Sequence, residues 1–371
     1  MRIGDRDIGL NHRPYIIAEI GVNHDGQVER ALELTDAAAE AGADAVKLQF
    51  FETDRLMSKA AKLAAYQRKA GQTDPIEMLR RLELTIDEMA QVVERAHAKG
   101  IHAIVTVFSA ELVPIAQTLP WDAYKTASPD IINKPLLEAL MHTGKPMIVS
   151  TGASTLDEVL RGVGWIDSTI DRLAVLHCVS CYPTPIEDAA LGGCEALMAE
   201  LSCVIGYSDH TEEHHVAPLL SPLNVNVFEK HLTYDKNAAG PDHRASLTPE
   251  EMKKYVYYAQ NAFFDDSSVE VLEGIRTKDP FKTYFGPIEK RVLDCEQDVR
   301  LVARQSVVST CDIPPGTTIT KEMITIKRPG TGIPPYKLND LIGCTTSQPI
   351  ESDIPITESD LVQFEPSMAI R

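Results

Sequence analysis

The sequence is short of basic residues. Its 36 Lys and Arg stand against 54 Asp and Glu, a formal net charge of −18. Nucleic acids and anionic membrane surfaces both need a basic face, so neither is expected as the main partner. Long apolar runs are also missing: no stretch approaches the ~20 residues of a membrane span. The opening MRIGDRDIGLNHRPYIIAEI has no basic region followed by an apolar one, so a cytoplasmic protein is expected. No internal repeat or low-complexity tract is present. The cysteines number seven, an odd count, and are widely scattered. Cys178 and Cys181 form one C-x-x-C, in HCVSCYP, but no second pair completes a zinc ribbon and the motif does not open a helix. The thiols are therefore expected to be reduced and structural.

What remains is the composition of a soluble globular chain, 44% hydrophobic and 24% charged. The 371 residues suffice for one large domain plus a small one, or for two medium domains. Short β-rich runs alternate with longer stretches of helical period. The runs are 15–20, 45–50, 102–108, 123–127, 146–151, 173–178, 203–208 and 225–231. Of the helical stretches, VERALELTDAAAEAGA is the clearest, ending at Gly42. Thr248 before Pro249, Glu250 and Glu251 reads as the N-cap of the last barrel helix. Eight strands each followed by a helix predict a (β/α)8 TIM barrel over residues 1–265. Residues 266–300, rich in charge, Pro and Gly, read as a linker with some helix. Residues 301–371, with short β-like runs between Pro and Gly turns, read as a small β-rich domain.

In such barrels the chemistry sits at the C-terminal strand ends. There stand Glu19; Lys47 and Gln49; Thr106 and Ser109; Lys125 and Ser128; Ser150 and Thr151; His177, Ser180 and Tyr182; Ser208, Asp209 and His210; and Glu229 and His231. A ring of polar groups on otherwise apolar strands is costly unless the groups are paired or functional. Two lysines among hydroxyls make a set for phosphate or carboxylate. His210 and His231 end adjacent strands, so their imidazoles can converge on one divalent ion such as Mn²⁺ or Zn²⁺, with positions left for substrate or water. His214 and His215, just beyond, read as solvated.

The motifs IIAEIGVNHDG, AGADAVKLQ, KPMIVSTG, LHCVSCYPTP, IGYSDHT, FEKH, GPDHRASL and KRPGTG occur in order. The chain thereby resembles the sialic acid (nonulosonic acid) synthase family, a TIM barrel followed by an antifreeze-like (SAF) domain. The resemblance implies condensation of phosphoenolpyruvate with an N-acyl mannosamine-type sugar, with release of phosphate and a nine-carbon α-keto acid. It implies phosphoenolpyruvate on Lys47, Thr106, Lys125, Ser128, Ser150 and Ser208. It implies Mn²⁺ on His210 and His231, with Mg²⁺ or Co²⁺ as alternatives. Glu19, Gln49, Tyr182, Glu229 and Asp242 match positions near the sugar and the proton chemistry. Arg328, in KRPGTG, matches an arginine that reaches the partner's site in a domain-swapped homodimer. Three departures touch the substrate: Ser180 stands where sialic acid members often carry Asn, strand three reads VTVF, and the strand-four loop reads TASPDIINKPLL. They resemble the branch that includes legionaminic acid synthases and spore-coat polysaccharide enzymes, and they leave the sugar open. Rival readings are a Schiff-base aldolase using Lys125, a non-catalytic carbohydrate-binding protein, and a sugar-phosphate synthase, which would need a further basic cluster.

Overall fold

A computed structural model describes residues 1–263, 278 and 281–364. Eight parallel strands close into a barrel in chain order. They are β1 (Tyr15–Gly21), β2 (Ala45–Phe50), β3 (His102–Val107), β4 (Ala123–Thr126), β5 (Met147–Ser150), β6 (Leu173–Cys178), β7 (Val204–Asp209) and β8 (Val227–His231). The helices that follow them are α1 (Val28–Ala41), α2 (Ile86–Ala98), α3 (Val113–Ala116), α4 (Lys134–Met141), α5 (Leu156–Gly164), α6 (Gly192–Glu200), α7 (Val216–Leu220) and α8 (Pro249–Phe263). No described helix is long and apolar enough to cross a membrane.

Each expected strand is found within two residues of its predicted ends. α1 stops where Gly42 takes φ 85°, a left-handed turn that costs glycine little. At α8 the Thr248 and Glu251 side chains each bond the other's backbone N–H, so the predicted cap is a full capping box.

The strands are buried on both faces, as parallel sheets are. Their outward residues join the helices in one apolar layer containing Ile16, Val46, Val105, Val149, Val175 and Phe228. Their inward residues form a separate apolar plug of Tyr15, Ile17, Ala45, Ile104, Ala123, Ile148, Ala174 and Val227. Ile3 and Ile8, flanking a two-stranded ribbon of Arg2–Ile3 with Arg6–Asp7, close the N-terminal end of this plug. The barrel is thus filled from below, and only its C-terminal end is open to chemistry.

Residues 264–277 and 279–280, the end of the expected barrel domain and part of the expected linker 266–300, lie outside the described residues. The linker's C-terminal part is tied to the barrel. α9 (Phe281–Phe285) leads to α10 (Gln297–Ala303), whose arginine and the next one grip α5. Arg300 and Arg304 each make two hydrogen bonds of 2.6–2.8 Å to the Glu158 carboxylate. Beyond them, β9 (Ser306–Ser309) and β10 (Ile324–Lys327) pair antiparallel over a small core of Val307, Ile313, Ile319, Leu341 and Ile356.

The two guanidinium forks hold the Glu158 carboxyl far below the usual carboxylate range, although burial pushes the other way. A carboxyl depressed on folding stabilises the fold above its unfolded pKa of about 4.3 and loses that contribution as pH falls below it. Glu158→Gln should therefore cost about 2–3 kcal/mol at pH 7 in chemical unfolding. The gap between variant and wild type should close as the pH is lowered through 4; a pH-independent gap would contradict the ion-pair account.

Candidate active site

Along each strand the inward positions begin apolar and end polar. β1 presents Tyr15 and Ile17, then Glu19; β2 presents Ala45, then Lys47 and Gln49; β8 presents Val227, then Glu229 and His231. The period of two does this, since residues two apart share a face. The polar ends surround a cavity of about 140 Å³. Of the residues singled out above, Glu19, Lys47, Gln49, Thr106, Lys125, Ser128, Ser150, Ser180, Tyr182, Ser208, His210, Glu229, His231, Asp242 and Arg328 line it. One wall is apolar, with Val22, Phe51, Leu56, Met57 and Phe108.

The floor is a lattice of four buried charges. Lys47 Nζ contacts Glu19 Oε2, lies 3.7 Å from Glu229 Oε2 and donates to Thr106 Oγ1 at 2.6 Å. Lys125 Nζ stands 3.3 Å from Glu229 Oε1, which also accepts from Ser208 Oγ at 2.8 Å. Gln49 Nε2 donates to Glu19 Oε1 at 2.9 Å. That bond occupies the space beside Gly21, where an added Cβ would fall 1.8 Å from the Glu19 oxygen. The Ser150 hydroxyl is buried without a partner among the described residues. Two ammoniums with converging hydroxyls, one of them unused, are a donor set suited to an anion, and two carboxylates balance their charge.

The four groups are not equivalent. Burial opposes ionisation of Glu229, but Lys125 and Lys47 outweigh it and pull its pKa down to about 2. Burial and the neighbouring Glu229 raise Glu19 above its ordinary value against the pull of Lys47. Lys47, between two carboxylates, is raised despite burial, while burial lowers Lys125. Across the cavity, burial and Glu19 push Asp242 up to about 7. Glu19 and Asp242, both raised, are therefore the carboxyls of the cavity best suited to exchange a proton.

His210 and His231 meet edge to face, ring centroids 5.3 Å apart. His210 Nδ1 lies 2.8 Å from the Val179 carbonyl oxygen and can donate to it; burial lowers this imidazole, but Cys178 and that carbonyl outweigh burial and raise it to about 9, so a cation taken at Nε2 would displace a proton. Burial and His210 together hold His231 well below its usual pKa, in the neutral, ligating form. Asp242 Oδ2 stands 3.7 Å from His231 Nδ1. Two imidazoles of this kind suit a divalent cation with open positions. Among the described residues no group of three or more His, Cys, Asp and Glu is placed to enclose an ion, so any further ligands would be substrate or water. Tyr182 packs its ring 4.1 Å from that of His210.

The structure departs from the sequence reading in two places. His177 points out of the barrel, 2.9 Å from the Ala190 carbonyl, and Cys178 takes the inward position, its Sγ 3.6 Å from His210 Nδ1. Asp209 and Ser109 likewise stay outside the cavity lining. Arg328 lines the cavity of the single chain described. Its backbone is bridged to Met57, its N–H donates to the Leu56 carbonyl at 2.8 Å, and its guanidinium lies over the Phe108 ring. Three groups were not anticipated. Tyr66 lines the cavity, 5.0 Å from Tyr182. Glu296 accepts from Ala153 N and Ser180 N at 2.6 and 2.7 Å and so orders two site loops. Asp130, buried with neither oxygen bonded, is raised to about 7 by burial against the pull of Arg328.

Glu229→Gln would leave Lys125 without a carboxylate at contact distance. Removing one partner of a buried pair is expected to cost about 3–5 kcal/mol in urea unfolding. A cost under about 1 kcal/mol would show that the lysines are hydrated rather than buried.

Comparison with known proteins agrees with this geometry. The NeuB family model matches residues 34–267 and the SAF domain model residues 304–362. N,N'-diacetyllegionaminic acid synthase of Legionella pneumophila is 35% identical, with 93% of each chain covered. The crystal structure of a spore coat polysaccharide biosynthesis protein from Bacillus subtilis superposes with a TM-score of 0.81 at 30% identity, over 98% of this chain and 99% of that one. N-acetylneuraminic acid synthetase of Leptospira borgpetersenii gives 0.64 at 28% identity, over 76% of this chain and 97% of that one. A closed eight-stranded barrel, a C-terminal SAF domain and matches of this extent together mean that the chain belongs to the NeuB family of sialic and related nonulosonic acid synthases.

Proposed function

We propose that this chain condenses phosphoenolpyruvate with the open-chain form of an N-acyl mannosamine-type sugar, N-acetylmannosamine or a 2,4-diacetamido-trideoxyhexose. The observation that carries the reading is the meeting, in one cavity, of a two-lysine anion site and a pair of imidazoles. Lys47 and Lys125, with Thr106, Ser128, Ser150 and Ser208, take the phosphate and carboxylate and so exchange Glu19 and Glu229 for substrate charge. His210 and His231 would hold a divalent cation, Mn²⁺ in the first instance, which when bound supplies Lewis-acid polarisation of the sugar aldehyde.

The bond changes are balanced by the chain's own groups. C3 of phosphoenolpyruvate forms a bond to the aldehyde carbon, and the carbonyl oxygen gains a proton. Water adds at C2 and gives up a proton. The tetrahedral intermediate then breaks its C–O bond to phosphate, the C2 hydroxyl proton passing to the departing phosphate, and leaves the ketone. Glu19 and Asp242 suit both proton transfers because burial raises each carboxyl above its ordinary value. Tyr182, Gln49 and Ser180 orient the sugar, and Arg328 with the C-terminal domain limits water at the mouth. The homodimer remains part of the proposal: exchanging the C-terminal domain between protomers would form the Met57–Arg328 bridge in trans.

One observation favours a second reading. Burial lowers the Lys125 pKa, which also suits an imine-forming aldolase. Borohydride should then trap pyruvate on Lys125, and on the condensing-enzyme reading it should not.

The test is phosphate release from phosphoenolpyruvate with Mn²⁺, with and without EDTA. Acceptors would be N-acetylmannosamine, 2,4-diacetamido-2,4,6-trideoxymannose and the corresponding altrose. Release with one sugar, abolished by EDTA and by His210→Ala, is expected. Lys47→Met should lower kcat/KM by at least ~10². Normal turnover of His210→Ala with metal present would refute the metal assignment.

A further inference from the structure

On the outer face of the barrel, behind the imidazoles, lies an ion pair that the proposed chemistry does not use. β7 and β8 run in register with Ser208 beside Glu229 and Asp209 beside Lys230. Ser208, His210, Glu229 and His231 face the cavity. Asp209 and Lys230 alternate with them and face the helices, in a layer otherwise made of residues such as Ile205, Tyr207, Phe228 and Leu232. Both are fully buried, with Nζ and Oδ1 3.1 Å apart. Desolvating such a pair costs several kcal/mol per ion, and an apolar pair of similar volume is often at least as stable. Stability therefore does not account for it.

Its hydrogen bonds do. Lys230 Nζ donates to the Thr211 carbonyl oxygen. Asp209 Oδ1 accepts from Thr211 N at 2.9 Å and from Thr211 Oγ1 at 2.8 Å. The residues before and after His210 are thus both bound, and one of the binding groups is the residue before His231. The His210 carbonyl itself accepts from Thr184 N at 2.8 Å. We infer that Lys230 and Asp209 are positioning residues, which fix the spacing of the His210 and His231 imidazoles across the β7–β8 pair so that they converge on one cation. The inference rests on the proposal that these histidines take a divalent metal.

The test combines three measurements on the full chain: Mn²⁺ affinity from the electron paramagnetic resonance of free Mn²⁺, metal-free phosphoenolpyruvate affinity by calorimetry, and thermal unfolding. The variants are the volume-preserving double Lys230→Met with Asp209→Leu, and Thr211→Val, which removes a single hydroxyl. Loss of a group that orients metal ligands weakens metal binding by about 10- to 100-fold. That loss is expected in the double variant, with phosphoenolpyruvate affinity and unfolding temperature maintained; Thr211→Val should shift Mn²⁺ affinity the same way by less. Unchanged Mn²⁺ affinity in the double variant overturns the inference. So does equal loss of both ligands, which would mark a merely structural pair. If the double variant does not fold, unchanged Mn²⁺ affinity in Thr211→Val overturns it. Wild-type protein that binds phosphoenolpyruvate but no Mn²⁺ would remove the metal reading, and this inference with it.

Discussion

The site depends on four charges held in a dry barrel. Lys47 and Lys125 would be prohibitively costly at the inner surface of parallel strands without Glu19 and Glu229 beside them. The pairing has a chemical consequence. The lysines are already desolvated and aimed when an anion arrives, so little reorganisation is left for the moment of binding. The carboxylates differ because Glu229 is served by both lysines and Glu19 by one. That asymmetry keeps Glu229 ionised and leaves Glu19 able to accept a proton.

The rest of the fold maintains this arrangement. The apolar plug of Tyr15, Ile17, Ile104 and Ile148 seals the lower barrel, so the charges can be approached only from the strand ends. From above, Arg328 and α10 bring in the C-terminal domain. Glu296 bonds the loops after β5 and β6, and Glu158 takes both arginines at the end of α10. The segment leading into the small domain is therefore attached to the loops that shape the site, and displacing Glu296 would loosen Ser180 and Ala153 together.

Most of this was legible in the sequence, because strand periodicity is a strong signal. Lys47 with Gln49, and Glu229 with His231, are spaced by two, and that spacing alone put each pair on one face. Periodicity also has a weak point at strand ends. In LHCVSC neighbouring residues alternate between the two faces, so a slip of one position exchanges His177 for Cys178; the strand register gives the inward position to Cys178. Tyr66, Asp130 and Glu296 come from loops and the linker, where no period exists and only folding brings them together. Nor could the motif KRPGTG show whose cavity Arg328 enters, since a residue's reach across the chain depends on docking and not on local pattern. The buried Asp209–Lys230 pair was visible only as single letters, and its meaning comes from the pairing of β7 with β8.

The central claim is that the barrel-end lysines form an anion site already desolvated and balanced by carboxylates. Calorimetric titration of metal-free protein with phosphoenolpyruvate, using wild type, Lys47→Met and Lys125→Met, tests it most directly. The account predicts saturable one-to-one binding that weakens at least tenfold, or about 1.4 kcal/mol, when either lysine is removed. Equal affinity in all three proteins, or no binding to the wild type, would contradict it.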